Sequence, residues 1–189
     1  DAWDIEIKTS RYGWFELCGV HDRTDYDLKR HSEFSKVNMN VNGEVPRILE
    51  IAFGLERTTY SLLEKSLVDD KKRDWLNFKK GISPVDIGIF PLLKKDNLDK
   101  LAKEIFEELD KEFVCVYDDA GSIGRRYRRM DEVGTSFCIT VDHESLKSKD
   151  VTIREIATMQ QIRVKISELK SVVRDLLYRD LEIEKVGKE

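Results

Sequence analysis

The sequence predicts an α/β protein built as two bodies, and three observations carry that reading. Strand-like apolar runs open the chain, strands alternate with helices from about residue 83 onward, and a charged stretch with few small residues lies between the two halves. At 189 residues the chain has room for one large domain or two small ones, since domains most often run to about 100–150 residues. Hydrophobic residues at 40% and charged residues at 37% describe a globular body with a heavily solvated surface, not a disordered tail. The 33 basic and 37 acidic side chains leave a formal charge of −4, so any contact with nucleic acid has to come from a local cationic patch.

The elements follow in order. D-A-W-D-I-E-I-K at the start already has the polarity of a strand, which reads as a beginning in mid-fold. Y-G-W-F-E-L-C-G-V at 12–20 reads as a buried strand carrying one acid, Glu16. Residues 33–46, with three asparagines, Gly43 and Pro46, read as a hairpin or loop, and R-I-L-E-I-A-F as a further strand that Gly54 ends. Leu55, Thr58, Thr59, Leu62 and Leu63 then recur at helical spacing, which puts Arg57 in the first turn of a helix. Residues 67–82 read as an exposed connection, with a boundary near Gly81. Beyond it come a strand V-D-I-G-I-F, a helix over 97–111, a strand at 113–117 and a short helix from Ser122 to about Met130. Strands at 136–141 and 151–156 and a long final helix over 159–178 complete the series. This alternation implies an open, largely parallel sheet covered by helices.

Cys18, Cys115 and Cys138 each sit alone in an apolar run, with no C-x-x-C spacing, and read as buried thiols in a reducing compartment. No apolar stretch approaches the roughly 20 residues that cross a bilayer, and no signal-peptide pattern opens the chain, so the expectation is a cytoplasmic protein without membrane contact.

Chemistry concentrates in two places. S-I-G-R-R-Y-R-R-M at 122–130 puts Arg125, Arg126, Arg128 and Arg129 within about one and a half helical turns, beside Tyr127. Guanidinium forks suit phosphate and a tyrosine ring can stack on an unpaired base. The same cluster also reads as a solvated helix face neutralised by Asp118, Asp119, Asp131 and Glu132. In the first body, Glu16 and Glu50 on neighbouring strands with Arg57 at a helix start are the types that hold Mg²⁺ and triphosphate oxygens; equally, they form a structural ion pair. His21, His31 and His143 have no mutual spacing that suggests a triad or a metal site.

Taken in order, these blocks resemble the glycyl-tRNA synthetases of the archaeal and eukaryotic type, which are class II aminoacyl-tRNA synthetases. The resemblance runs through the opening block to D-R-T-D-Y-D-L, then E-I-A-F-G-L-E-R, similar to the third signature motif of class II. It continues through D-D-A-G-S-I-G-R-R-Y-R-R-M-D-E-V-G and T-M-Q-Q-I-R-V-K-I-S-E-L of the anticodon-binding domain. It implies an antiparallel-sheet catalytic portion over 1–66, a linker over 67–82 and a mixed, mostly parallel α/β anticodon-binding domain over 83–189.

The resemblance further implies that Arg57 is the catalytic third-motif arginine and that Glu16, Leu17, Gly54, Leu55, Glu56 and Arg57 meet ATP. By the same token Arg23, Glu50, Ile51 and Ala52 line the glycine pocket, and Arg125, Arg126, Tyr127, Arg128 and Arg129 meet tRNA. ATP and Mg²⁺, glycine, tRNA(Gly) and a homodimeric full-length enzyme follow as expectations, with no resident metal. The family has E-P-S where this chain has Glu50-Ile51-Ala52, and the first two class II motifs have no counterpart here. The expected role is therefore that of a C-terminal fragment, inactive alone, of a glycine–tRNA ligase; a non-catalytic tRNA-binding protein derived from one is the alternative.

Overall fold

The computed structural model describes residues 1–71, 73–179 and 181–186. It divides into two compact units, Asp1–Lys65 and Ser66–Glu189.

The first unit is a three-stranded antiparallel sheet in the order β1 (Ala2–Thr9), β2 (Gly13–Thr24), β3 (Ile48–Phe53). Helix α1 (Tyr26–Ser35) follows β2 and α2 (Leu55–Ser66) follows β3. Helix α1 occupies part of the segment read as loop. It buries no residue, so it lacks the apolar stripe that would reveal it in the sequence. It is held instead by pairs one turn apart, among them Arg30–Glu33 and Lys29–Asp25. Glu64 of α2 accepts bonds from the backbone and hydroxyl of Ser10 and from Tyr60, which ties the β1–β2 turn to the helix.

The second unit opens with a small hairpin of β4 (Leu67–Asp69) and β5 (Asp74–Leu76). The five-stranded sheet comprises β6 (Ile87–Pro91), β7 (Cys115–Tyr117), β8 (Phe137–Val141), β9 (Asp150–Glu155) and β10 (Gln161–Lys165), in the order β10-β9-β8-β6-β7. Its helices are α3 (Leu98–Leu109), α4 (Ile123–Val133), α5 (His143–Ser148) and α6 (Leu169–Tyr178), with a 3-10 turn at Ile183–Lys185. One face buries Ile89, Ile139 and Ile153 against Leu98, Ile105, Val173 and Leu176 of α3 and α6. The opposite face buries Phe90, Cys138 and Ile156 with Met130 of α4 and Trp75 of the hairpin. All three cysteines are buried free thiols. Among the described residues no helix is long and apolar enough to cross a membrane.

Three expectations are corrected. The sheet is mixed as expected but not mostly parallel, because β6–β7 and β6–β8 are parallel while β8–β9 and β9–β10 run antiparallel. The long helix over 159–178 is a strand and a helix. Q-I-R-V-K alternates polar and apolar residues, so Ile162 and Val164 turn to the core, and Met159 with φ of 62° makes the turn before it. The charged segment 67–82 is not an exposed connection. Arg73 stacks 4.7 Å over Trp75, donates to the Ile156 carbonyl at 2.8 Å, and lies 3.2 Å from Asp131 with both side chains 6% exposed. That buried pair is ionic without hydrogen-bond alignment, and it clamps the hairpin to α4.

Helix α5 is fastened by Asp142, whose carboxylate accepts from the Glu144 and Ser145 amides at 3.0 Å and pairs with Arg163 at 2.8 Å. The Arg163 guanidinium above all, with the cap amides, holds the Asp142 carboxyl at about 2. This lies below the unfolded value of about 3.9, so the stabilisation is complete above about pH 4 and lost as pH falls through 4 to 2. Asp142→Asn is expected to lower stability at pH 7 and to flatten the pH 4 to 2 decline, measured by urea unfolding across that range. An unaltered decline would remove Asp142 as its source. Gly134 ends α4 with φ of 80°, and a Cβ there would lie 2.4 Å from the Phe78 ring. Gly134→Ala should cost about 2 kcal/mol, seen as a lower urea midpoint at unchanged slope. An unmoved midpoint would show that Phe78 does not press on this turn.

Candidate nucleotide and tRNA sites

In the first unit the site is made by a register shift. Ile5 pairs with Cys18 but Glu6 pairs with Glu16, so Leu17 is an extra residue in β2. Without that bulge Glu16 would share the face of Cys18. With it, Glu16 joins Asp4, Glu6, Gly19, His21, Glu50 and Ala52 on one face, since directly paired residues point the same way. The floor of this face is the adjacent pair Gly19 and Ala52, which carries nothing larger than a methyl group.

Two ion-paired groups flank that floor. On one side the Arg57 guanidinium lies across Gly54, where a Cβ would come within 2.6 Å of its Nε, and reaches Glu16 at 3.4 Å. On the other, Arg23 donates to both Asp27 oxygens at 2.6 and 3.0 Å and stands 3.4 Å from Glu50. The Arg23 guanidinium holds the Asp27 carboxyl below the usual carboxylate range. His21 sits between Asp4 at 3.5 Å and Glu50 at 3.8 Å. The Leu17 carbonyl accepts from the Gly54 amide at 3.0 Å, which joins the bulge to the start of α2.

Not every residue expected here faces the site. Glu16 is no buried acid, its side chain being 39% exposed. Ile51 turns to the opposite face with Val20 and is 70% exposed. Leu55 and Glu56 lie in the exposed first turn of α2. Among the described residues no group of three or more His, Cys, Asp or Glu side chains converges as a metal site.

In the second unit the arginine cluster of α4 divides in two. Residues three apart share a helix face, so Arg125 goes with Arg128 and Arg126 with Arg129. Arg125 and Arg128 are exposed and make no ion pair or side-chain hydrogen bond with the described residues. Arg129 is half-exposed and forks onto Asp118 through Nε at 2.7 Å. Arg126 is 3% exposed, and Tyr127 packs edge-on against Phe90 and shares a 2.6 Å hydrogen bond with Thr140. Neither Arg126 nor Tyr127 presents its polar end to solvent, which corrects the expectation that both touch tRNA. Burial also raises the Tyr127 hydroxyl pKa. Ser122 stands at the N-cap position but makes no capping bond with its side chain.

The structure adds residues that spacing did not reveal. Arg154 of β9 shares the sheet face of Cys138, lies 4.4 Å over the Tyr127 ring, and keeps its Nε without a hydrogen-bond partner. On the same face of β10, Gln161, Arg163 and Lys165 are exposed. The period-2 pattern of Q-I-R-V-K carried this signal, obscured by reading the segment as helix.

A family model described as an anticodon binding domain matches residues 86–176. Along nearly its whole length the chain is also similar to curated glycine–tRNA ligases. That of Archaeoglobus fulgidus is 34% identical over 268 aligned positions, covering 99% of this chain and 47% of the relative. That of Treponema denticola is 43% identical over 190 positions, covering 92% and 42%, and one from Bacillus cereus is 44% identical over 177, covering 88% and 38%. The chain thus spans less than half the length of the relatives it matches. This likeness runs through both units, so along nearly its whole length the chain is similar to a part of the glycine–tRNA ligases, including an anticodon-binding domain over residues 86–176.

Proposed function

We propose that this chain serves the ATP-dependent attachment of glycine to tRNA(Gly), its second unit receiving the tRNA and its first supplying one side of the glycine and ATP site. The carrying observation is the face of the first sheet, where Glu16–Arg57 and Glu50–Arg23 flank a floor of Gly19 and Ala52. The arrangement fits a small cationic amine beside a polyphosphate. Glu50 offers its carboxylate to the glycine ammonium beside the His21 ring, which lies over Gly19. Arg57, laid over Gly54, exchanges Glu16 for a phosphate oxygen and balances charge as the glycine carboxylate attacks the α-phosphate and pyrophosphate departs. The tRNA terminal hydroxyl then attacks the adenylate's carbonyl carbon, forming the glycyl ester as the acyl–phosphate bond breaks and AMP and a proton leave. Glu16 would add a carboxylate to a Mg²⁺ arriving with ATP, which would supply neutralisation of phosphate charge. In the relatives the pairing of subunits is expected to lie outside the portion matched here.

The tRNA side rests on Arg125 and Arg128, cations with no partner among the described residues, on a protein of net charge −4. Arg154, stacked on Tyr127, extends this surface onto the sheet. One observation favours the alternative of a non-catalytic tRNA-binding protein: Ala52 removes the hydroxyl that the family's pattern places beside Glu50.

ATP–pyrophosphate exchange with glycine separates the readings. The 189-residue chain alone should stay at background, because the open sheet neither encloses the reactants nor surrounds the phosphates with charge. Robust glycine-dependent exchange would overturn this. For the tRNA surface, the double variant Arg125→Ala/Arg128→Ala should bind a tRNA(Gly) transcript about tenfold more weakly. The slope of log affinity against log salt should fall by about 1.5, as for two lost phosphate contacts. Unchanged affinity and slope would return these arginines to a solvated face.

A further inference from the structure

Arg126 is a cation buried to 3% exposure without a carboxylate partner among the described residues. Its donors all end on backbone carbonyls: Nη1 on Pro91, Nη2 on Asp119 at 3.1 Å and on Gly121 at 2.7 Å, and Nε on Ala120 at 3.5 Å. The nearby Asp119 carboxylate is taken by Lys94 at 2.8 Å, and that of Asp118 by Arg129. One guanidinium therefore joins the end of β6 to the loop between β7 and α4. Arg129 grips the same loop from the next turn through the Ala120 carbonyl at 2.8 Å. The loop's packing reaches one of the outward arginines directly, since the Arg125 Cδ lies 3.6 Å from where a Cβ on Gly121 would stand.

We infer that Arg126 is a positioning residue for tRNA binding: it touches no RNA, and it fixes the 118–122 loop so that Arg125 and Arg128 point at phosphates. The inference rests on the reading that α4 faces tRNA. A planar fork with five donors suits the task, because several carbonyls at different angles must be held by one side chain. Lysine, with three donors on a single nitrogen, cannot span the same carbonyls, so charge alone does not substitute for shape. A merely structural arginine and a positioning arginine differ in one respect. The first weakens binding independently of its neighbours, whereas the second acts through Arg125 and Arg128.

The test is a coupling experiment with the 189-residue chain and a tRNA(Gly) transcript, by fluorescence anisotropy over a salt series. Arg126→Met should reduce affinity about tenfold and lower the salt slope about as far as Arg125→Ala/Arg128→Ala does, although both outward arginines remain. Arg126→Lys should give most of the same loss. Added to the double variant, Arg126→Met should cost less than about twofold more. Full multiplication of the two losses, or affinity within about twofold of wild type in Arg126→Met alone, would overturn the inference. Should Arg126→Met fail to fold by circular dichroism, Gly121→Ala decides. It strains the loop at φ of 69° while sparing Arg126, and should show the same coupled loss; an additive loss or none sinks the inference. If Arg125→Ala/Arg128→Ala itself binds normally, the tRNA-facing reading of α4 fails instead.

Discussion

Placing a guanidinium inside a protein without an acid beside it commits the surrounding backbone. Each donor must find an acceptor or the charge is too costly to bury. For Arg126 those acceptors are carbonyls on two separate stretches, Pro91 and the loop at 119–121, so the charge is stable only when both stretches converge at the start of α4. The site-bearing part of the second unit is organised around that requirement. The loop lies back on the helix, Arg129 closes it from one turn further along, and the remaining arginines are left pointing to solvent.

The other end of α4 is held by a different device. Asp131 lies against Arg73, whose guanidinium stacks on Trp75 and caps carbonyls at the end of β9. A pair this deeply buried gives modest net stability but becomes expensive when either partner is removed, so it specifies where the hairpin sits. Between the two anchors Met130 packs with Phe90 and Cys138. Helix α4 is thus pinned along its length, which gives its outward face a fixed direction.

The first unit follows a contrasting logic. Its charged groups are half-exposed ion pairs on an open sheet, worth little to stability in water. A single extra residue in β2 brings Glu16 over to the face of Glu50, where the His21 ring lies over Gly19. The opposite face leaves Trp3, Leu49, Ile51 and Phe53 exposed.

Much of this was legible in the chain itself. Local patterns suffice where an element is amphipathic and capped by its own neighbours, so the strands around Cys18 and Ile139, α2 behind Gly54 and the apolar stripe of α3 could be read directly. The E-I-A-F-G-L-E-R and G-S-I-G-R-R-Y-R-R-M blocks likewise marked the two charged clusters proposed as sites. Even the inward direction of Arg126 and Tyr127 was encoded, because with Ile123 and Met130 they keep the 3-4 spacing of a buried stripe; charge masked it. Tertiary structure decided what no local pattern contains: the bulge that turns Glu16, the antiparallel placement of β9 and β10, the docking of Arg73 on Asp131, and the split of four similar arginines into two that fold the loop and two that are free. Each depends on partners far away in sequence, and a side chain's charge is spent or available only once those partners are in place.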